Sequence, residues 1–214
     1  MTSLKGDIMS KTTAENIPFG CYYIDRNYLE YLHEHGDERT PKSNYEDEDR
    51  ARKFYCGPVY NDFGVNYYVP VSHETEKNQM SVYDPETKTV EYYGMYIRNS
   101  NNQKIGNLDF RFMVPCYDDK LLTPCDLTGY GLEQNQACLK LQSTICKNAE
   151  STYKNIQSND YPWLNESSVN YDNVMDAMWS YDDEKTKQRK YITEQLAATV
   201  GTNDFKSVSV QLGN

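Results

Sequence analysis

Residues 53–73, KFYCGPVYNDFGVNYYVPVSH, leave this chain few ways to fold. Val65, Tyr67, Val69 and Val71 alternate with Asn66, Tyr68 and Pro70, the period-two pattern of a half-buried strand. Upstream, Val59 and Tyr60 close a short apolar run, and Asn61-Asp62-Phe63-Gly64 supplies turn chemistry between the runs. The reading is an antiparallel hairpin. Its geometry brings Lys53, at the start of the first strand, level with Ser72 and His73 at the end of the second. A cation, a hydroxyl and an imidazole at one hairpin end suit phosphate chemistry, and the chain has only 3 histidines in all.

The rest of the sequence arranges itself around that hairpin. Residues 21–24 read as a strand, followed by Asp25 as an N-cap and a helical face of Tyr28, Leu29 and Leu32 that stops near Gly36. Residues 37–49 are a charged loop. After the hairpin, residues 80–83 and 90–93 read as strands joined by the turn sequence Asp84-Pro85-Glu86-Thr87-Lys88. Residues 106–115 read as one strand with Leu108, Phe110, Phe112 and Val114 on a single face. Gly129 and Gly131 end the β-rich half. From 132 to 156, Cys138, Leu141, Ile145, Ala149, Tyr153 and Ile156 recur at helical spacing, and residues 174–179 and 185–196 read as further helical pieces. Together these predict an α+β fold built on a twisted antiparallel sheet. Residues 1–19 are expected to be an extension, 20–157 the core, and 158–214 a helical part of the same domain.

Composition narrows the function classes. Hydrophobic residues make up 38% and charged residues 25%, the balance of a globular chain. No run approaches the roughly 18 apolar residues of a membrane span, and the N-terminus lacks the apolar stretch of a signal peptide. A cytoplasmic protein with reduced thiols is expected. The cysteines at 21, 56, 116, 125, 138 and 146 show no C-x-x-C pair, so no zinc site is expected from spacing. The net charge of −10 argues against general nucleic-acid binding, although a local basic groove suffices for phosphate contacts. No Walker loop, GxGxxG, HExxH or metal-binding carboxylate set occurs, which predicts no cofactor.

The hairpin also carries a family resemblance. Lys53, Tyr55, Gly57, Val59, Gly64, Tyr67, Pro70, Val71 and Ser72 fall without a gap on the core motif of the type III toxin–antitoxin endoribonucleases, the ToxN/CptN/AbiQ-like family. YYIDRNYLEYL at 22–32 is similar to the family's opening strand and helix. Gly106, Leu108, Met113 and Pro115 resemble its second signature, with Asp109 where asparagine is common. The resemblance spans roughly residues 20–157. His73 departs from it, standing where the family keeps a second small hydroxyl residue.

The resemblance implies a compact SH3-like barrel, similar to the MazF and Kid toxins, with flanking helices. It also implies a metal-independent endoribonuclease that cuts cellular and phage RNA to a 2′,3′-cyclic phosphate and a 5′-hydroxyl. Such a toxin is inhibited by a repeat-derived pseudoknot RNA, assembles into RNA-bridged oligomers and serves in phage defence. The alternatives are an inactive RNA-binding module, or a toxin of related fold that inhibits a protein such as gyrase.

The catalytic candidates are His73, Lys53 and Ser72. An imidazole takes a proton at neutral pH unaided, as internal attack by a 2′-hydroxyl requires. Lys53 would offset charge on the scissile phosphate. Ser72 either donates to a phosphate oxygen or simply closes the strand. Arg52, Tyr22, Arg98, Lys104 and Arg111 are the candidate RNA contacts, the last three with Lys53 in one groove. The basic run Lys185, Lys187, Arg189 and Lys190 is the other candidate surface.

Overall fold

The computed structural model describes residues 17–42, 53–72, 81–84, 89–158 and 161–181. The hairpin is there as β2 (Tyr55–Asp62) and β3 (Val65–Ser72), and its turn is only Phe63 and Gly64. Both turn residues have positive φ, 46° and 83°, the twist that matches two antiparallel strands across a two-residue loop. Gly64 adopts it without a Cβ penalty. Asn61 supports the turn by accepting from the Gly64 N–H at 3.3 Å and donating to Asn66 Oδ1 at 2.7 Å.

Around it, β1 (Gly20–Ile24), β6 (Gly94–Arg98), β7 (Lys104–Asp109), β8 (Val114–Cys116) and β9 (Leu122–Pro124) complete a seven-stranded antiparallel sheet in the order β6-β7-β3-β2-β1-β9. One edge of β3 takes β2, and the other is shared by β7 and β8. Among the described residues no pair joins β6 to β9. The sheet is therefore open, not the closed SH3-like barrel expected. A separate hairpin pairs β4 (Ser81–Asp84) with β5 (Thr89–Tyr92).

Residues 106–115 are not one strand. The Asp109 carboxylate accepts from the Arg111 N–H at 3.1 Å and starts a single 3-10 turn at Phe110–Phe112. That excursion moves the pairing along β3, from Val71 and Ser72 with β7 to Asn66, Tyr67 and Tyr68 with β8. Leu108, Phe110 and Val114 are buried as the alternation predicts, whereas Phe112 is only partly covered.

Helix α1 (Arg26–His35) begins with Asp25 accepting from Tyr28 N–H at 3.0 Å and stops at Gly36. The long helix expected from 132 to 156 is two, α2 (Gly129–Lys140) and α3 (Gln142–Ser158), divided at Leu141. Pro162 opens the short α4 (Pro162–Ser167), at the position where its missing N–H costs nothing. Residues 171–181 are helical, and residues 185–196 lie outside the described residues.

Tyrosines fill much of the core, and several find partners for their hydroxyls. Tyr171 donates to the Phe110 carbonyl at 2.8 Å and Tyr153 to Asp62 at 3.1 Å, within 3.3 Å of the Tyr67 hydroxyl. The segment after α3 is also clamped to α1's exit. Asp37 accepts from Arg39 Nη2 at 2.6 Å and from the Asn170 N–H at 2.7 Å, while Arg39 Nη1 reaches the Glu166 carbonyl at 2.7 Å. No helix among the described residues is long and apolar enough to cross a membrane.

Candidate active site

Lys53 and Ser72 meet across the hairpin. Tyr55 is level with Pro70, and the Val71 N–H donates to the Phe54 carbonyl at 2.9 Å, so the ladder runs on until Lys53 stands opposite Ser72. On the far edge of β3, Ser72 is level with Asn107 of β7, which is in turn level with Tyr96 of β6. His73 and Arg52, one residue further along each chain, lie outside the described residues.

This end of the sheet opens on a cavity of about 510 Å³ between the strands and the start of α2. Tyr23, Lys53, Phe54, Val71 and Ser72 line it from the sheet, and Asp126, Thr128, Tyr130 and Gln134 are among the residues across from them. Lys53 remains open to solvent as a residue, yet desolvation by the surrounding protein pushes its ammonium pKa down. Among the described residues no carboxylate forms an ion pair with it. A cation with no described carboxylate partner, beside a hydroxyl in a cleft open to solvent, is suited to an anionic ligand.

Gln134 lines this cleft from α2. It is 2% exposed and donates from Nε2 to the Ile105 carbonyl at 2.6 Å, tying α2 to β7. Beneath it, Cys21, Cys56 and Cys138 are buried, with all three Sγ atoms within 4.8 Å of one another. Sequence spacing concealed that group, because its members come from β1, β2 and α2.

The other predicted contacts divide. Arg98 and Lys104 are neighbours in the β6–β7 register, on the side of the sheet where β3 ends. Both are exposed, Arg98 bonded to the Asn102 carbonyl at 2.8 Å and Lys104 with Nζ 3.8 Å from the Tyr96 ring centre. Arg111 does not join them. It lies beyond the opposite end of β7, fixed to Asp109 by Nε–Oδ1 and Nη2–Oδ2 bonds of 2.9 and 2.6 Å and set 4.0 Å over the Tyr93 ring. Arg111 thus stands apart from the groove expected from sequence, and Arg98 and Lys104 lie on β6 and β7 outside the lining of the cavity that holds Lys53.

Tyr22 is also displaced from its expected place. Its ring is 6% exposed and packs edge-on to Tyr68, and its hydroxyl donates to the Pro18 carbonyl at 2.6 Å. Its neighbour Tyr23 lines the cavity instead. The run 185–190 lies outside the described residues.

Comparison with known proteins adds family and fold. A family model described as toxin ToxN of the type III toxin–antitoxin system matches residues 20–195, reaching past the span that the sequence motifs cover. Among solved structures, one from work on selective toxin inhibition by a non-coding RNA pseudoknot in bacterial type III systems is 16% identical, with a TM-score of 0.63, over 78% of this chain and 99% of that one. AbiQ, a lactococcal anti-phage endoribonuclease of a type III system, is 17% identical with a TM-score of 0.61, over 78% and 99%. A third, from work on a processed non-coding RNA that regulates a bacterial antiviral system, is 14% identical with a TM-score of 0.60, over 75% and 98%. No protein of curated function matches by sequence.

Proposed function

Because this chain belongs to the ToxN family of type III toxin–antitoxin toxins, we propose that it is an endoribonuclease whose site is the cavity at the open end of the hairpin. The observation that carries this reading is the Lys53–Ser72 pairing at that cavity, with a lysine that no described carboxylate neutralises.

The reaction is internal transfer. A 2′-oxygen attacks the adjacent phosphorus, the 5′-oxygen leaves, and the products are a 2′,3′-cyclic phosphate and a 5′-hydroxyl. His73 takes the 2′-hydroxyl proton, solvent water protonates the departing 5′-oxygen, and Ser72 donates to a phosphate oxygen. Lys53 stabilises charge on the phosphate oxygens, a contribution of about 3–4 kcal/mol to the barrier. The residues assigned to these steps need no metal, so cleavage should persist in chelator.

An inhibitory RNA would lie over the same cleft. The resemblance of fold to a toxin inhibited by an RNA pseudoknot and to the endoribonuclease AbiQ supports both halves of this reading. Antitoxin RNA bridging several toxin copies, action in the cytoplasm on cellular and phage RNA, and defence by abortive infection complete the proposal.

The test is cleavage with mapped ends. Wild type should leave cyclic phosphates, with a rate that rises as an imidazole near pH ~6.5 loses its proton. His73→Ala should fold, bind RNA and fail to cut, while His73→Ser should retain a fraction of the rate. Full cleavage by a folded His73→Ala would remove the base from this scheme.

A further inference from the structure

Three buried thiols lie directly behind the cavity wall. Cys21 and Cys56 are opposite each other in the β1–β2 ladder. The Cys21 carbonyl accepts from the Cys125 N–H at 3.0 Å, so its backbone groups point to β9 and not to β2. That makes Cys21–Cys56 a non-hydrogen-bonded pair, the position at which antiparallel side chains come closest. Cys138 of α2 closes the triangle, with every Sγ within 4.8 Å of the others.

We propose that Cys21, Cys56 and Cys138 form a three-thiolate site for a soft, closed-shell cation of the copper(I) class. Metal–thiolate bonds of about 2.3 Å place sulfurs about 4 Å apart around one ion, so the triangle needs to contract by less than a side-chain rotation supplies. Zinc asks for a fourth ligand, and among the described residues no histidine, carboxylate or further thiol completes the group. Thiolates in a dry site select copper(I) over hard ions. Each ligating thiol gives its proton to solvent as its metal–sulfur bond forms, with no change of oxidation state.

The placement gives the ion a structural effect at the cleft. Tyr23 is two residues from Cys21 on β1 and Phe54 two from Cys56 on the approach to β2, each on the same face as its cysteine. Gln134 is one helical turn from Cys138. All three line the cavity, so an ion at the thiols bolts together the elements that form its wall. This inference holds whether or not the protein cuts RNA.

The full chain, reduced and under argon, should take up one equivalent of copper(I) from a competing chromophoric chelator. Uptake should bring ultraviolet thiolate-to-metal charge-transfer absorption and a higher melting temperature. X-ray absorption on that wild-type complex should show sulfur neighbours alone. Cys138→Ala should lose uptake and the melting shift, and Cys146→Ala should keep both. Nitrogen or oxygen neighbours in the wild type, no stoichiometric uptake, or undiminished uptake by Cys138→Ala would each overturn the site. The absorption measurement decides the matter even if Cys138→Ala does not fold.

Discussion

Gly106 and Gln134 fit together with no space between them. A Cβ on Gly106 would stand 2.5 Å from Gln134 Nε2 and 2.9 Å from the Ser72 carbonyl oxygen. Because Gln134 is held to the Ile105 carbonyl and Ser72 to the sheet, neither gives way freely. Gly106→Ala should therefore cost about 1–3 kcal/mol of stability as overpacking, measured by urea unfolding. It should also cut the cleavage rate by more than the fall in folded fraction, because the displaced neighbours are Ser72 and the cavity wall.

Lys53 should trade stability for activity. Desolvation lowers its pKa from 10.5 in the folded protein, so the charged form is penalised there. Lys53→Met should raise the melting temperature at neutral pH while lowering cleavage by about two decades or more. The sign follows from linkage. The penalty is full below the depressed folded pKa and disappears as pH rises past it toward the unfolded value. The stability gap between variant and wild type should thus narrow in alkaline buffer, and a gap that widened there would place the lysine in a favourable environment.

Charge reversal separates an exposed cation of the β6–β7 edge from one locked to a neighbouring carboxylate. Lys104→Glu should weaken RNA binding and lower the slope of log K against log salt, by ~0.7 for each single-strand phosphate that the protein no longer neutralises. Arg111→Ala should leave that slope unchanged and lower stability by about 1.5–3 kcal/mol, since it breaks charged hydrogen bonds to Asp109. A salt series with matched denaturation curves reads both effects.

Acid should loosen the junction at Asp37. Burial alone would raise this carboxyl's pKa, but the Arg39 guanidinium and the backbone N–H groups of Asn170 and Arg39 outweigh it and leave it below 3.8. A depressed carboxylate contributes fully above its unfolded pKa and loses that contribution as pH falls through the folded one. Asp37→Asn should cost about 2 kcal/mol at neutral pH. The difference from wild type should shrink below pH ~4, as followed by denaturant unfolding across that range.

The hairpin was legible because two independent signals agreed, alternation in residues 65–71 and turn residues between apolar runs. Residues 106–115 alternate just as cleanly, but Asp109 ends the strand by capping a turn, and one carboxylate does not disturb a period-two pattern. Adjacent tyrosines at 22 and 23 occupy opposite faces of β1, and nothing in their type tells which one reaches the cavity. Leu141 divides α2 from α3 without a glycine or proline to announce it. Arg111 looked available because a sequence shows charge but not the partner that consumes it. Gln134 and the thiols were out of reach for the same reason. Their neighbours are distant along the chain, and only the pairing of β1, β2 and β7 with α2 gathers them.

The cavity's two walls also arrive at different times during synthesis. Tyr23, Lys53, Phe54, Val71 and Ser72 precede Asp126, Thr128, Tyr130 and Gln134 by more than fifty residues of chain. A ribosome that adds about 5–20 residues per second therefore exposes the sheet side seconds before the helix that closes it. Throughout that interval the nascent toxin has its lysine and hydroxyl but no enclosed cleft around them. Under the proposed function, an RNA meets a finished cleft only after α2 has left the exit tunnel.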